Sequence, residues 1–278
     1  MQPSMETIER VIATALAEDL GRGDITSQAV IPAGARFRGV MAAREELVVA
    51  GLDFARQIFA RLAPDLEWQA RVAEGQLVAT GGVLADLAGP ALELLTAERT
   101  ALNLLQHLSG IATLTRRYVQ AVAGTGVVVL DTRKTLPGLR ELAKYATRLG
   151  GARNHRLRLD DGVLIKDNHL AVCGSVSEAM SRARAAGLQD IEVECDTLDQ
   201  VVQALEAGAE RLLLDNMDNA TLRRAVALAK GRATAEASGG VNLETIAGIA
   251  ATGVDFISVG RLTQSAPAMD IGLDWSLA

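Results

Sequence analysis

Aromatic residues make up only 3% of this 278-residue chain. That scarcity argues against a binder of single-stranded nucleic acid, which needs rings for bases to stack on. Net positive charge is missing too: 28 Lys and Arg against 34 Asp and Glu give −6 and a pI near 5.2, which argues against duplex binding. Only two cysteines occur, Cys173 and Cys195, at no disulfide or metal-ligand spacing. They read as strand and loop filler rather than nucleophiles, in a protein expected in the reducing cytoplasm. No apolar run approaches the ~20 residues that span a bilayer, so no membrane partner is expected. Glu6, Glu9, Glu18 and Asp19 interrupt the N-terminus early, against a secretory leader. There is no P-loop, no zinc spacing and no apparent Ser/His/Asp triad.

What the chain has is a large aliphatic core, 49% hydrophobic, in a length that allows one large domain or two ordinary ones. Residues 5–20 predict an amphipathic helix, with Ile8, Val11, Ile12, Ala15 and Leu16 on one face and Gly21 and Gly23 ending it. Residues 35–50 and 66–87 read as strands, with a short helix between them to about residue 62. A long helix follows over 91–121, with a break expected near Ser109 and Gly110. These first ~110 residues read as a mixed α+β domain.

After Gly124 the pattern changes. Short apolar strands are predicted at 127–130, 162–165, 191–195, 211–214, 233–235 and 256–259. Helices are predicted between them at 138–149, 176–186, 198–207, 220–229 and 243–251. Gly150, Gly187, Gly208 and Gly253 close helices, and Asp218 and Asn242 open them. Such alternation means βαβ units on a parallel sheet, and a strand pitch of roughly 20 residues is that of a β/α barrel. The strands number six, short of a full barrel.

A barrel places its chemistry at the C-terminal ends of its strands. Six strand ends here deliver charge or glycine to one rim: Asp131 with Arg133 and Lys134; Lys166; Glu194; Asp215 with Asn216; Glu236 with Ser238, Gly239 and Gly240; and Gly260 with Arg261. The rim divides by sign. Nine Lys and Arg stand against four Asp and Glu between Thr132 and His169, in a chain that is acidic overall. Three of those cations follow directly on apolar strand-like runs, which are usually buried, so they are not simply a solvated face. Arg133, Lys134, Arg156 and Lys166, with His155, form a cationic half suited to carboxylates or phosphates. His155 reads as an anion ligand before a general acid. Glu194 and Asp215 form an acidic half that could accept anions only through a divalent cation such as Mg²⁺. Ser238, Gly239, Gly240, Val259 and Gly260 precede helical segments and read as a backbone cradle for a phosphate. Glu192 reads as a structural carboxylate paired with an Arg, and His107 as a capped or core histidine.

At these residues the chain resembles the quinolinate phosphoribosyltransferases. The segments carrying the resemblance are Glu18–Thr26, Glu98–Asn103, Asp131–Arg140, Asn154–Arg156, Leu164–His169, Glu192–Glu194, Leu213–Asn216, Ala237–Gly240 and Asp270–Leu273. They span nearly the whole chain in the family's order. The resemblance implies transfer of phosphoribose from phosphoribosyl pyrophosphate to quinolinate, with Mg²⁺, giving nicotinate mononucleotide, pyrophosphate and CO₂. It implies that Arg133, Arg156, His155 and Lys166 hold the quinolinate carboxylates, beside Thr132. Lys134 would meet the sugar-phosphate substrate. Glu194 and Asp215 would face the ribose hydroxyls and the metal, directly or through water or substrate, and Lys134, Lys166, Glu194 and Asp215 are the expected catalytic set. Ser238, Gly239, Gly240, Val259, Gly260 and Arg261 would surround the 5′-phosphate. Arg99 would reach across a homodimer, or higher oligomer, into the partner's site.

The implied fold is an N-terminal α+β open sandwich over 1–112, to which 270–278 return, followed by an incomplete, six- to seven-stranded parallel β/α barrel over 113–269. Arg153, Arg158 and Arg261 stand where the family is expected to carry smaller residues. Arg261 is expected to point to solvent. Two rival readings remain. One is the paralogous group associated with molybdenum transport, against which the intact Asn154–Arg156 and Ile165–His169 motifs argue. The other is a non-catalytic sensor of a phosphorylated metabolite, which would have no reason to keep Glu194 and Asp215.

Overall fold

The computed structural model describes residues 2–277. The chain divides into two compact units. The first comprises Met1–Arg116, Leu136–Gly151 and Ser265–Ala278, and the second Arg117–Thr135 and Ala152–Gln264.

The first unit opens with α1 (Met5–Leu20), which buries Ile8, Val11, Ile12 and Leu16 and is capped by Ser4, whose hydroxyl accepts the Thr7 N–H at 3.2 Å. A short helix not anticipated from sequence, α2 (Ile25–Val30), follows; Asp24 caps it by accepting the Ser27 N–H at 2.9 Å. Then come β1 (Arg36–Ala43), β2 (Leu47–Val48), α3 (Leu52–Leu62), β3 (Glu67–Ala70), β4 (Leu77–Val78), β5 (Val83–Pro90) and α4 (Ala91–Ala121).

Helix α4 runs unbroken past Ser109 and Gly110, contrary to the sequence expectation. Both residues serve packing. The Ser109 hydroxyl accepts the Ala50 N–H at 3.1 Å. At Gly110 a Cβ would overlap the Pro267 carbonyl oxygen and lie 2.9 Å from its carbon, so glycine permits close approach instead of ending the helix.

The strands of the second unit are β6 (Val128–Leu130), β7 (Leu164–Ile165), β8 (Glu192–Cys195), β9 (Arg211–Asp215), β10 (Thr234–Ser238) and β11 (Phe256–Ser258). The helices of this part of the chain are α5 (Arg140–Leu149), α6 (Asp167–Cys173), α7 (Val176–Ala185), α8 (Leu198–Glu206), α9 (Asn219–Ala229), α10 (Ile246–Ala250) and α11 (Arg261–Gln264). The final strand, β12 (Ile271–Leu277), returns to the first unit and pairs antiparallel with β1, giving a sheet ordered β12-β1-β5-β3.

All six barrel strands expected from sequence are present, in one parallel sheet ordered β6-β11-β10-β9-β8-β7. First and last strands of the series therefore pair, and the opening lies between β6 and β7. The crossover helix α5 belongs to the first unit. Its Leu142, Ala143, Tyr145 and Ala146 join the core of the first unit with Phe54, Phe59 and Leu108. The sequence placed 138–149 among the barrel helices because amphipathic periodicity shows that a face is buried, not against what. The first stretch of the first unit runs to Arg116.

Candidate active site

Nine of the expected site residues line a single cavity of about 370 Å³ among the strand ends of the second unit: Thr132, Arg133, Lys134, His155, Arg156, Lys166, Glu194, Asp215 and Ser238. Strand geometry explains the convergence. Parallel strands in register put Ser238 beside Asp215 and Glu194 beside Leu213, so alternate inward positions arrive at one level. A second cavity, of about 830 Å³, reaches the strand starts at Glu210, Arg211, Thr234 and Phe256. His155 and Arg156 line both and stand between them.

The loop after β6 is held by its own backbone. Thr132 Oγ1 accepts the Lys134 N–H at 3.0 Å, and the Thr263 hydroxyl donates to the Lys134 carbonyl at 2.7 Å. Arg133 is thereby presented with a buried Nε that has no hydrogen-bond partner among the described residues. An unpaired guanidinium donor inside a cavity is set for an anion. Arg156 donates to the Gly162 carbonyl at 3.1 Å. Burial and the neighbouring Arg133 charge hold its pKa below the usual value, which is the electrostatic sign of two cations awaiting a shared counter-ion.

Asp131 fixes the turn that carries Arg156. Its carboxylate is fully buried and accepts the Asn154 Nδ2 donor at 2.6 Å and the His155 N–H at 2.9 Å. His155 completes the turn: Nδ1 accepts the Arg156 N–H at 2.8 Å and Nε2 lies 3.0 Å from Glu192 Oε2. From these partners the ring proton belongs on Nε2, donated to Glu192. Burial opposes charging this imidazole, but Glu192 and Glu236 outweigh it and raise the pKa. A second ring proton would point at the Arg156 N–H, so the resting ring is neutral. Both nitrogens are engaged within the protein, and through Nδ1 His155 places Arg156.

Lys166 and Glu194, assigned from sequence to opposite halves of the rim, form an ion pair at 2.8 Å. The Lys166 N–H donates to His169 Nδ1 at 2.8 Å, so His169 anchors the start of α6. Asp215 accepts from Asn216 Nδ2 at 2.5 Å. Asp196 adds a further carboxyl, its pKa raised by burial and by Asp215 and Asp167. These carboxylates offer the hard oxygen donors that Mg²⁺ prefers, with Asp215 the less encumbered of the expected pair.

The expected phosphate cradle is partly revised. Gly239 and Gly240 take left-handed φ of 88° and 61°, and a Cβ on Gly239 would lie 2.8 Å from the Asn216 backbone nitrogen, so only glycine fits. Gly260 packs on the Lys134 side chain, with a would-be Cβ 2.9 Å from Lys134 Cδ. Val259 drops out: its side chain is buried and its N–H is donated to the Leu130 carbonyl at 3.0 Å. Helix α10 begins at Ile246, six residues after Gly240, so the Gly239–Gly240 loop does not open a helix. Arg261 is exposed, with its guanidinium facing the buried Tyr118 hydroxyl and not simply solvent.

Arg99 is exposed on α4 in the first unit. Arg153 lies over the Phe256 ring at 5.6 Å, and Arg158 donates to Asp160 at 3.1 Å, so both have structural partners. His107 is half-buried, with burial lowering its pKa. Burial and the neighbouring acids push the Cys195 thiol up to about 12, which leaves it inert as a nucleophile.

Glu236 was expected at a strand end. It lies in the middle of β10, 1% exposed. It forms with His155 and Glu192 the one group of three possible metal-ligating side chains among the described residues. The His155 ring proton directed at Glu192, and Arg211 within 3.7 Å of Glu192, argue for a proton network in place of a metal. Its signal in the sequence was an acid inside the otherwise small and apolar Ala235-Glu-Ala237.

Comparison with known proteins gives a consistent result. Residues 24–109 match the family model for the quinolinate phosphoribosyl transferase N-terminal domain, and 111–274 that for its C-terminal domain. The chain is 47% identical over 270 residues to a nicotinate-nucleotide pyrophosphorylase [carboxylating] of Mycobacterium leprae, covering 95% of each. It is 46% identical over 265 residues to a probable enzyme of the same name from Synechocystis sp., covering 93% of this chain and 89% of the relative. The solved structure of the nicotinate-nucleotide pyrophosphorylase of Francisella tularensis superposes with a TM-score of 0.95 at 36% identity, covering 99% of this chain and 98% of that one.

Proposed function

The chain belongs to the quinolinate phosphoribosyltransferase family, and we propose that it transfers phosphoribose from phosphoribosyl pyrophosphate to quinolinate, with decarboxylation, to give nicotinate mononucleotide, pyrophosphate and CO₂ in NAD biosynthesis. The observation that carries this reading is the unpaired Arg133 donor beside Arg156 in a cavity that also holds Lys166, Glu194 and Asp215. A dicarboxylate meets the first two, and a ribose bearing a leaving pyrophosphate meets the rest.

Arg133 and Arg156 receive the quinolinate carboxylates, with His155 and Asp131 setting the position of Arg156. Lys166 releases part of its hold on Glu194 to share in that binding. Lys134 and the Ser238–Gly240 loop take the sugar-phosphate. As pyrophosphate leaves C1, positive charge develops on the ribose, and Glu194 and Asp215 favour it. The pyridine nitrogen then bonds to C1 and becomes cationic, which lets the adjacent carboxylate depart as CO₂; the bonding pair left on the ring carbon takes up a proton from water. The residues act mainly by positioning, and no dedicated base is required. Asp215 and Glu194 would hold Mg²⁺, directly or through water or substrate; when bound, the ion neutralises the departing pyrophosphate charge.

Arg99 is proposed to complete the site of a partner subunit in a homodimer or larger assembly, and a cytoplasmic location is proposed on the two free cysteines. The test is an absorbance assay of purified protein with quinolinate, phosphoribosyl pyrophosphate and Mg²⁺. Mg²⁺-dependent nicotinate mononucleotide formation is expected. Quinolinate binding without turnover would indicate a sensor instead, and no binding would indicate the molybdenum-associated paralogues.

A further inference from the structure

Three buried carboxylate oxygens by the substrate cavity have no hydrogen-bond partner of good geometry among the described residues: Glu192 Oε1 and both oxygens of Glu236. The two side chains are 3% and 1% exposed. They share one neighbour, the His155 ring, whose Nε2 lies 3.0 Å from Glu192 Oε2 and 3.6 Å from Glu236 Oε2. Arg211 stands 3.7 Å from Glu192 Oε1, too far to satisfy it. The Ser258 hydroxyl also faces Glu236, on a neighbouring strand.

Two carboxylates this buried, with oxygens within 4.8 Å of each other, do not both ionise readily, because each negative charge opposes the other at low dielectric. Orphaned acceptors in a folded interior call for a proton. One proton placed on Glu236 removes two orphans together, since it turns a Glu236 oxygen into a donor and gives a Glu192 oxygen something to accept.

We propose that Glu236 is a positioning residue that acts as a neutral acid. Its carboxyl donates to Glu192, leaving a single negative charge against His155 and so fixing the turn that presents Arg156 to quinolinate. The chain of contacts is continuous: Glu236 to Glu192, Glu192 to His155 Nε2, and His155 Nδ1 to the Arg156 N–H. Burial and the charge of Glu192 raise the Glu236 pKa to about 7, the direction that this placement of the proton requires. The proposal rests on the reading that the cavity above His155 holds quinolinate.

Replacing Glu236 by Leu removes the donor, and replacing it by Gln mimics the neutral acid. In the intact protein, Glu236→Leu should raise KM for quinolinate about tenfold while leaving KM for phosphoribosyl pyrophosphate within about twofold. Glu236→Gln should restore the quinolinate KM to within about threefold of wild type. Infrared difference spectra of wild type minus Glu236→Gln, at pH just below 7 and without substrates, should show a carboxylic-acid carbonyl band. That band reports on the proton whatever the protein turns over, so its presence without quinolinate turnover would overturn the proposed reaction alone. An absent band, or Gln as impaired as Leu, would overturn the neutral-acid assignment. An unaltered quinolinate KM in Glu236→Leu would overturn the positioning role.

Discussion

Lys166 Nζ and Glu194 Oε2 lie 2.8 Å apart, Lys166 just beyond β7 and Glu194 on the adjacent β8. Glu194 is buried, while the Lys166 side chain is 44% exposed. Solvent screens the lysine, so the pair contributes at most about 1 kcal/mol to stability. Glu194→Ala is therefore expected to lower kcat by about a hundredfold or more while shifting unfolding free energy by roughly 1 kcal/mol or less. Steady-state kinetics and urea denaturation of the same preparation check both. A large stability loss would make the pair structural.

Arg133→Ala should weaken quinolinate binding by about 2 to 3 kcal/mol, or roughly 30- to 150-fold, because a buried carboxylate loses its forked partner. Removing a side chain whose buried Nε has no hydrogen-bond partner among the described residues should not lower the melting temperature. Titration calorimetry and thermal unfolding would give both values. Unchanged quinolinate affinity would remove Arg133 from the carboxylate site.

Gly110→Ala isolates tertiary packing from helix propensity. Alanine in a helix interior gains about 1 kcal/mol over glycine. Here its Cβ would overlap the Pro267 carbonyl, with backbone on both sides of the clash. Net destabilisation of about 2 kcal/mol or more is expected. A stabilised variant would show that the contact opens easily.

The pH dependence of stability carries the signature of Glu236. Its folded pKa is raised to about 7 from 4.5 by burial and by Glu192. Between those values the unfolded chain has lost the proton and the folded chain keeps it, so stability falls as pH rises through that window. Glu236→Gln has no such proton. Its melting temperature relative to wild type should climb from about pH 4.5 to about 7 and then level off. A difference independent of pH would place the Glu236 pKa at its ordinary value.

The proposed sharing of Arg99 between subunits makes oligomerisation a condition of activity. Light scattering under assay conditions should find at least a dimer, and Arg99→Ala should lose turnover while retaining its oligomeric state. A fully active monomer would contradict it.

The alternation of apolar strands and glycine-closed helices was enough to place six parallel strands and the cationic loops at their ends. Charged side chains directly after apolar runs can only emerge at a strand terminus, so Arg133, Lys134, Lys166 and Asp215 were legible one strand at a time. Gly110 was misread as a helix break because propensity describes an isolated helix, and here Pro267 decides. Val259 was misread because adjacency to Gly260 does not reveal that its N–H is spent on Leu130.

The sequence by itself therefore determined the strand series, which follows from residue order and local periodicity, and the family, which follows from the resemblance of its motifs. Only the tertiary structure decided what buried faces meet and which polar atoms remain without partners. It sent α5 to the core of the first unit, engaged both nitrogens of His155, and set Glu236 against Glu192. Those outcomes depend on contacts between residues far apart in the chain, and burial there turns a solvent-exposed carboxylate's ordinary ionisation into a constraint on its neighbours.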